Sequence, residues 1–289
     1  MRASKIEFRL RMFILVAIVF VGIWAPWIGP WDIGRRISTL EWLALEISRT
    51  GLASFTVSTP FVIALGALLA AAGMLFRVWG AAYLGYSTVH HADMQAGTVM
   101  AAGPYRYVRN PLYIGTWFMM AAISLLMTPS GALFTMVLVT LFQFRLILGE
   151  EAFLSGQLGE PYSRYLHAVP RLVPRLRAEM PQAEARSQWL TALLAEIMPI
   201  GTFVTLAFVS WSYDNMRMLN AIVISLVVSL VVRGLMKAPI PTCVFLVVAP
   251  AAWRLFHLSP LRAALIGLGA ALVVRAIVPR KEDARPGAA

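Results

Sequence analysis

The sequence predicts an all-α, polytopic transmembrane helical bundle of about eight spans, with the N- and C-termini both cytoplasmic. Three observations carry this. Of the 289 residues, 59% are apolar and only 13% charged, against roughly 45–50% and about 25% in soluble domains. The apolar residues gather into blocks of about 17–22, long enough at about 1.5 Å per residue to cross about 30 Å of hydrocarbon. Lys and Arg are shared unevenly between the connecting segments, 18 on the side of the N-terminus and 6 on the other, with Arg77 left out because it lies within a span. Basic loops stay in the cytoplasm, and an even number of spans returns the C-terminus there.

In chain order, the opening Met1–Arg11 is basic and leads into a first span, Met12–Ile28. That run is long, rich in tryptophan and without a small-x-small cleavage site, which favours a retained helix over a signal peptide. Leu40–Ile47, between Arg35-Arg36 and Arg49, reads as a short interfacial helix. Pro60–Leu84 is a Gly/Ala-rich span suited to tilting and close helix contact. Leu112–Met127 and Gly131–Leu148 meet at Thr128-Pro129-Ser130, a connection short enough to force an antiparallel hairpin,. After it, Phe153, Leu154 and Leu158 recur at helical spacing, as in a short amphipathic surface helix stopped by Gly159,. Pro170 and Pro174 prevent another long helix.

Four further spans, Leu190–Trp211, Met218–Met236, Ile240–Phe256 and Leu261–Val278, complete the chain before a tail from Pro279 with the composition of disorder,. The organisation is therefore residues 1–59 as an N-terminal helix and interfacial segment, 60–178 as a polar-flanked core, and 179–289 as a C-terminal four-helix region.

The net charge of +11 fits a basic face against anionic lipid headgroups rather than nucleic acid. Cys243 is the single cysteine, so no internal disulfide forms,. His90-His91 with Asp93 has no further ligand spacing, and no metal is expected there,. Arg233, Arg254 and Arg275 read as snorkelling side chains at helix ends. Nothing in the sequence assigns an oligomeric state.

Gly103–Gly115 (GPYRYVRNPLYIG) carries chemistry that a helix crossing a bilayer does not require. Gly103 permits close approach of backbone to a ligand. Pro111 suits the first turn of the third span, whose N-terminal N–H groups favour an electron-rich ligand group. Glu150-Glu151, near Arg145, are acids at a depth where they need a partner, water or a function,. Both strips flank one hairpin, so they converge on one face of the membrane.

The segment Tyr105-Arg106-Tyr107-x-Arg109-Asn110-Pro111-x-Tyr113 and the run from Glu150-Glu151 through Gly159, Tyr162 and Tyr165 to Val169-Pro170-Arg171 resemble, in order and spacing, the integral-membrane methyltransferases that include isoprenylcysteine carboxyl methyltransferase and phosphatidylethanolamine N-methyltransferase. The resemblance covers Arg77 to Pro174. It implies a multi-pass membrane enzyme that binds S-adenosyl-L-methionine and acts on a lipophilic substrate reached from the membrane lipids, with an isoprenylcysteine carboxyl acceptor first and a phospholipid headgroup second. It also implies cofactor contacts at Val99, Met100, Gly103, Tyr105, Arg109, Asn110, Pro111, Leu112 and Tyr113. Arg145, Glu150 and Glu151 take the catalytic roles, and Glu150 also touches the cofactor. Two departures stand out: Asn110 replaces the family's frequent histidine, and the Arg145-to-Glu150 spacing is one residue longer than in the eukaryotic isoprenylcysteine enzymes. A transporter or scaffold keeping a vestigial methyltransferase module is the reading from another class. The expected setting is a bacterial inner membrane, with the site on its cytoplasmic face.

Overall fold

The computed structural model describes residues 2–24, 37–84, 101–178, 180, 181, 183, 186–237 and isolated positions between 242 and 271. Every regular element among them is helical. α1 (Lys5–Arg9) starts at Ser4, which forms a capping box with Glu7,. α2 (Arg11–Trp24) realises the first apolar span as far as the described residues go. α3 (Thr39–Arg49) contains the expected interfacial segment and starts with a second capping box, Ser38 with Glu41.

α4 (Phe55–Leu84) is 30 residues long, about 45 Å at the helical rise. α5 (Pro111–Ser124) has Pro111 in its first turn, as expected. α6 (Pro129–Leu158) is capped by Thr128, whose side chain accepts from the Gly131 N–H at 3.2 Å. The α5–α6 pair is the expected hairpin, with two corrections. α5 has 14 residues, about 21 Å, so it is shorter than the crossing read over Leu112–Met127. α6 runs unbroken to Leu158, so Phe153, Leu154 and Leu158 are its last turns and not a separate surface helix. The only glycines in that stretch are single, and Gly149 lies against the Ala3 backbone, where a Cβ would be 3.1 Å from its carbonyl oxygen. Gly159, at φ 60, then ends the helix.

α7 (Glu160–Ala168) follows at once. The expected span Leu190–Trp211 is instead a broken pair, α8 (Trp189–Ala195) and α9 (Ile197–Phe208), bent by 69° at Glu196. α10 (Asn215–Lys237) contains the expected Met218–Met236 span. Ile240–Phe256 and Leu261–Val278 fall largely outside the described residues. Among those described, α4, α6 and α10 are long and apolar enough to cross a membrane, and the bent pair makes a fourth.

The chain divides into two compact units, Met1–Leu226 and Val227–Ala289. The first takes in α8 and α9 together with the polar-flanked core, and it holds everything that follows. At its centre α4 packs most extensively on α5, then on α9, α3 and α8. The α4–α5 crossing is tight because small residues meet. A Cβ on Gly73 would stand 2.9 Å from the Gly115 carbonyl oxygen,. On the other side of the hairpin, α2 packs on α6 over a core of Met119, Met120, Ile123, Val139, Phe142 and Leu146.

The two ends of this bundle differ. At one, α3 covers the hairpin turn: the Thr39 and Leu40 N–H groups donate to the Met127 and Leu125 carbonyls at 2.7 and 2.9 Å. At the other, the Ala3 N–H donates to the Arg145 carbonyl at 3.0 Å. The N-terminal segment therefore shares an end with the finish of α4 and the start of α5.

Candidate active site

The segment ahead of α5 is shaped by its own residues. Gly103 has φ 52, a left-handed conformation natural to glycine,. Pro104 then starts a single 3-10 turn, Gly103–Arg106, that buries Tyr105. Tyr105, Arg106, Tyr107, Arg109 and Asn110 are each tied to the chain beyond α6. The Tyr165 hydroxyl donates to the Tyr105 carbonyl at 2.8 Å. The Arg175 N–H donates to the Tyr107 carbonyl at 3.0 Å, and the Arg109 N–H to the Pro170 carbonyl at 2.9 Å. Arg106 Nε reaches the Met180 carbonyl at 2.9 Å, and Arg109 Nη1 the Leu166 carbonyl at 3.0 Å. The two strips flanking the hairpin converge as the sequence predicts.

Between them lie the two acids, in unlike surroundings. Glu151, buried, is gripped by Arg171: Nη2 and Nε donate to Oε2 at 2.7 and 3.0 Å. Arg109 Nε stands 3.4 Å from Oε1, within ion-pair range but out of line for a hydrogen bond. Asn110 Nδ2 donates to the Arg171 carbonyl at 3.1 Å and, weakly, to Glu151 Oε1 at 3.5 Å. Glu150 accepts one hydrogen bond, from the Tyr113 hydroxyl at 3.0 Å. Among the described residues no cation lies within ion-pair distance of it. Glu151 thus meets Asn110, the residue before α5, and Glu150 meets Tyr113 in its first turn, while no side chain caps that helix start.

Three tyrosines stand near these acids. The Tyr105 hydroxyl is buried without a hydrogen-bond partner. Burial pushes it well above the usual phenol range, and the neighbouring Tyr165 and Glu150 reinforce the shift,. Burial raises Tyr162 and Tyr165 likewise, the pair standing 5.8 Å apart, ring to ring.

Of the sequence-expected site residues, the structure brings together Gly103, Tyr105, Arg109, Asn110, Pro111, Tyr113, Glu150 and Glu151. Leu112 sits beside them but turns towards α4, where a Cβ on Gly80 would meet it at 2.9 Å. Val99 and Met100, with His90, His91 and Asp93, lie outside the described residues. Arg145 does not join the cluster; its guanidinium holds Glu7 at 2.8 Å. Five residues along a helix is a rotation of about 140°, so Arg145 and Glu150 face different ways.

Two features escaped the sequence. Arg171 was legible as part of a motif but not as the partner of Glu151. Glu196, fully buried at the α8–α9 bend, takes a bidentate grip from Arg77, Nε to Oε2 at 2.6 Å and Nη2 to Oε1 at 2.8 Å. Arg77 Nη1 reaches Thr116 Oγ1 at 2.5 Å. The available signal was two lone opposite charges in separate apolar blocks.

The bundle thus brings two polar strips to one end of its apolar hairpin, with a buried acid pair between them. Residues 61–160, about a third of the chain, match the family model for phospholipid methyltransferase. That stretch is similar to this family, and the similarity suggests a membrane methyltransferase. No curated protein and no solved structure matches the chain.

Proposed function

We propose that the protein uses S-adenosyl-L-methionine to methylate an amine-bearing lipid headgroup, with its site on the cytoplasmic face of a bacterial inner membrane. The observation that carries the choice of acceptor is the state of the charges. A carboxyl acceptor needs a cation to seat it; Arg145, Arg109 and Arg171 are each engaged by a glutamate, and the charge of Arg11 is already felt by Glu150. Glu150 is the acid left with only a phenol on it. It attracts an ammonium and takes its proton, which leaves the nitrogen lone pair for the methyl group.

The residues present suit the cofactor. Tyr105 offers a buried, unpartnered hydroxyl, and the rigid Gly103–Arg106 turn and Pro111 hold backbone polar groups beside it. When bound, S-adenosyl-L-methionine supplies a methyl group activated on sulfonium. The chain's own work is to orient the acceptor, exclude water and move one proton. Tyr113 holds Glu150 in place, and Glu151 fastens the two strips that frame it.

Full-length protein in detergent, titrated calorimetrically with S-adenosyl-L-methionine, tests the reading. Binding is expected, and Tyr105→Ala should abolish it. Transfer of radiolabelled methyl to phosphatidylethanolamine should give an N-methylated lipid, lost in Glu150→Gln. A base-labile methyl ester on a prenylated carboxyl acceptor would move the acceptor to oxygen. A folded protein with no affinity for the cofactor would end the reading, in favour of a transporter or scaffold.

A further inference from the structure

The buried Arg77–Glu196 pair belongs to neither strip, and Glu196 lies beyond the matched residues 61–160. We propose that Glu196 is a positioning residue: through Arg77 it latches the α8–α9 bend to α4 and so fixes the Gly103–Arg106 turn. The functional meaning of this latch rests on the methyltransferase reading above, whereas its geometry does not.

The chain of contact is continuous. Arg77 lies seven residues before the end of α4, about 10 Å along the axis. Its three guanidinium contacts go to Glu196 and Thr116, so it ties α4, α5 and the bend at one point. Past the latch, Ala192 packs with Val78, Ala81 and Ala82, and Tyr83, Leu112 and Ile200 flank that cluster. The Gln188 N–H donates to the Ala82 carbonyl at 2.8 Å, satisfying a carbonyl in the last turn of α4,. Trp189 stands edge-on to Tyr83 at 6.3 Å. The Tyr83 ring in turn fills the space beside Gly103, close enough that any Cβ there would collide with it. The left-handed turn that presents Tyr105 is thus shaped against a ring held by α8.

Such a pair is poorly explained as stabilisation alone. Removing two charges from water costs much of what their attraction returns, and an apolar pair of similar volume serves the fold as well. What a bidentate pair adds is orientation.

The test uses the full-length chain with Cys243→Ser. In it, Ala102→Cys reports on the turn and Ala44→Cys on the distant end of α4, since both alanines are fully buried. Maleimide labelling should be slow at both sites. Glu196→Gln should speed labelling at position 102 at least tenfold and leave position 44 slow, and R77M/E196L, which keeps the volume without the bidentate contact, should leave position 102 fast. The affinity of the folded fraction for S-adenosyl-L-methionine should fall at least tenfold in Glu196→Gln and recover in part in Glu196→Asp. Unchanged labelling at 102 in Glu196→Gln would overturn the proposal. So would equal acceleration at both sites, the mark of general loosening. Should Glu196→Gln fail to fold, Glu196→Asp carries the same comparison. If labelling responds as expected and the unaltered protein binds no S-adenosyl-L-methionine, the latch stands and the methyltransferase reading falls.

Discussion

The Glu151 cluster and the Arg77–Glu196 pair are both buried ion pairs, yet they sit in opposite kinds of surroundings. Glu151 lies near the end of α6, and it shares its charge among Arg171, Arg109 and Asn110. The Arg171 side chain keeps 38% exposure, so water shares the work. Glu196 has 0% exposure and a single charged partner. The first cluster is a redundant fastening of irregular backbone. The second is an all-or-nothing contact between helices, and loss of one partner strands the other.

Breaking the second pair is therefore expected to give the largest effect. Arg77→Ala leaves Glu196 buried and alone, which should cost about 3–5 kcal/mol and sharply lower the yield of folded protein in detergent. R77M/E196L should recover most of that loss in thermal unfolding. Next comes Glu151→Ala. Its partners are several and Arg171 reaches water, so a loss of about 2 kcal/mol is expected, with looser 101–113 and 165–175 segments by hydrogen exchange. Equal melting losses for Arg77→Ala and Glu151→Ala would erase the distinction between the two regions.

Glu150→Gln sharpens it from the other side. The Tyr113 hydroxyl keeps an acceptor, so the melting temperature should stay close to that of the unaltered protein while transfer to an amine acceptor is lost. Burial raises Tyr105, Tyr162 and Tyr165 above the phenol range. Unfolded tyrosine ionises near pH 10, and the folded state keeps its phenol protons beyond that point. Their contribution is therefore intact below about pH 10 and fades as pH rises above it. Chemical unfolding followed from about pH 8 to about pH 11 should show stability falling only in the alkaline limb. The smallest effect is expected for Arg145→Gln, whose pair with Glu7 is open to solvent. Melting and methyl transfer should both stay near those of the unaltered chain.

Legibility followed the range of the interaction. The hairpin, the Gly159 stop and the Pro111 helix start are written in neighbouring residues, and sequence alone placed all three. The convergence of the 103–113 and 145–177 strips was also legible, because a short turn leaves the hairpin no other geometry. The Arg145 role was misplaced by linear nearness, since helical rotation turns that side chain to Glu7. The Arg77–Glu196 pair joins residues 119 apart in sequence, and neither residue alone points to the other. The bend at Glu196 has a local mark in Pro199, which has no N–H to donate to the Ala195 carbonyl and whose ring crowds that carbonyl, so a straight helix through this point is disfavoured,.

The shortness of α5 has a consequence for the bilayer itself. At about 21 Å it falls some 9 Å short of about 30 Å of hydrocarbon, so its loop or its start is immersed. The loop is the end equipped for immersion, because α3 donates N–H groups to the carbonyls of Leu125 and Met127 where lipid offers none,. Lipid around this helix thins to match it. Under the proposed function, such thinning would bring an amine headgroup towards the depth of Tyr113 and Glu150.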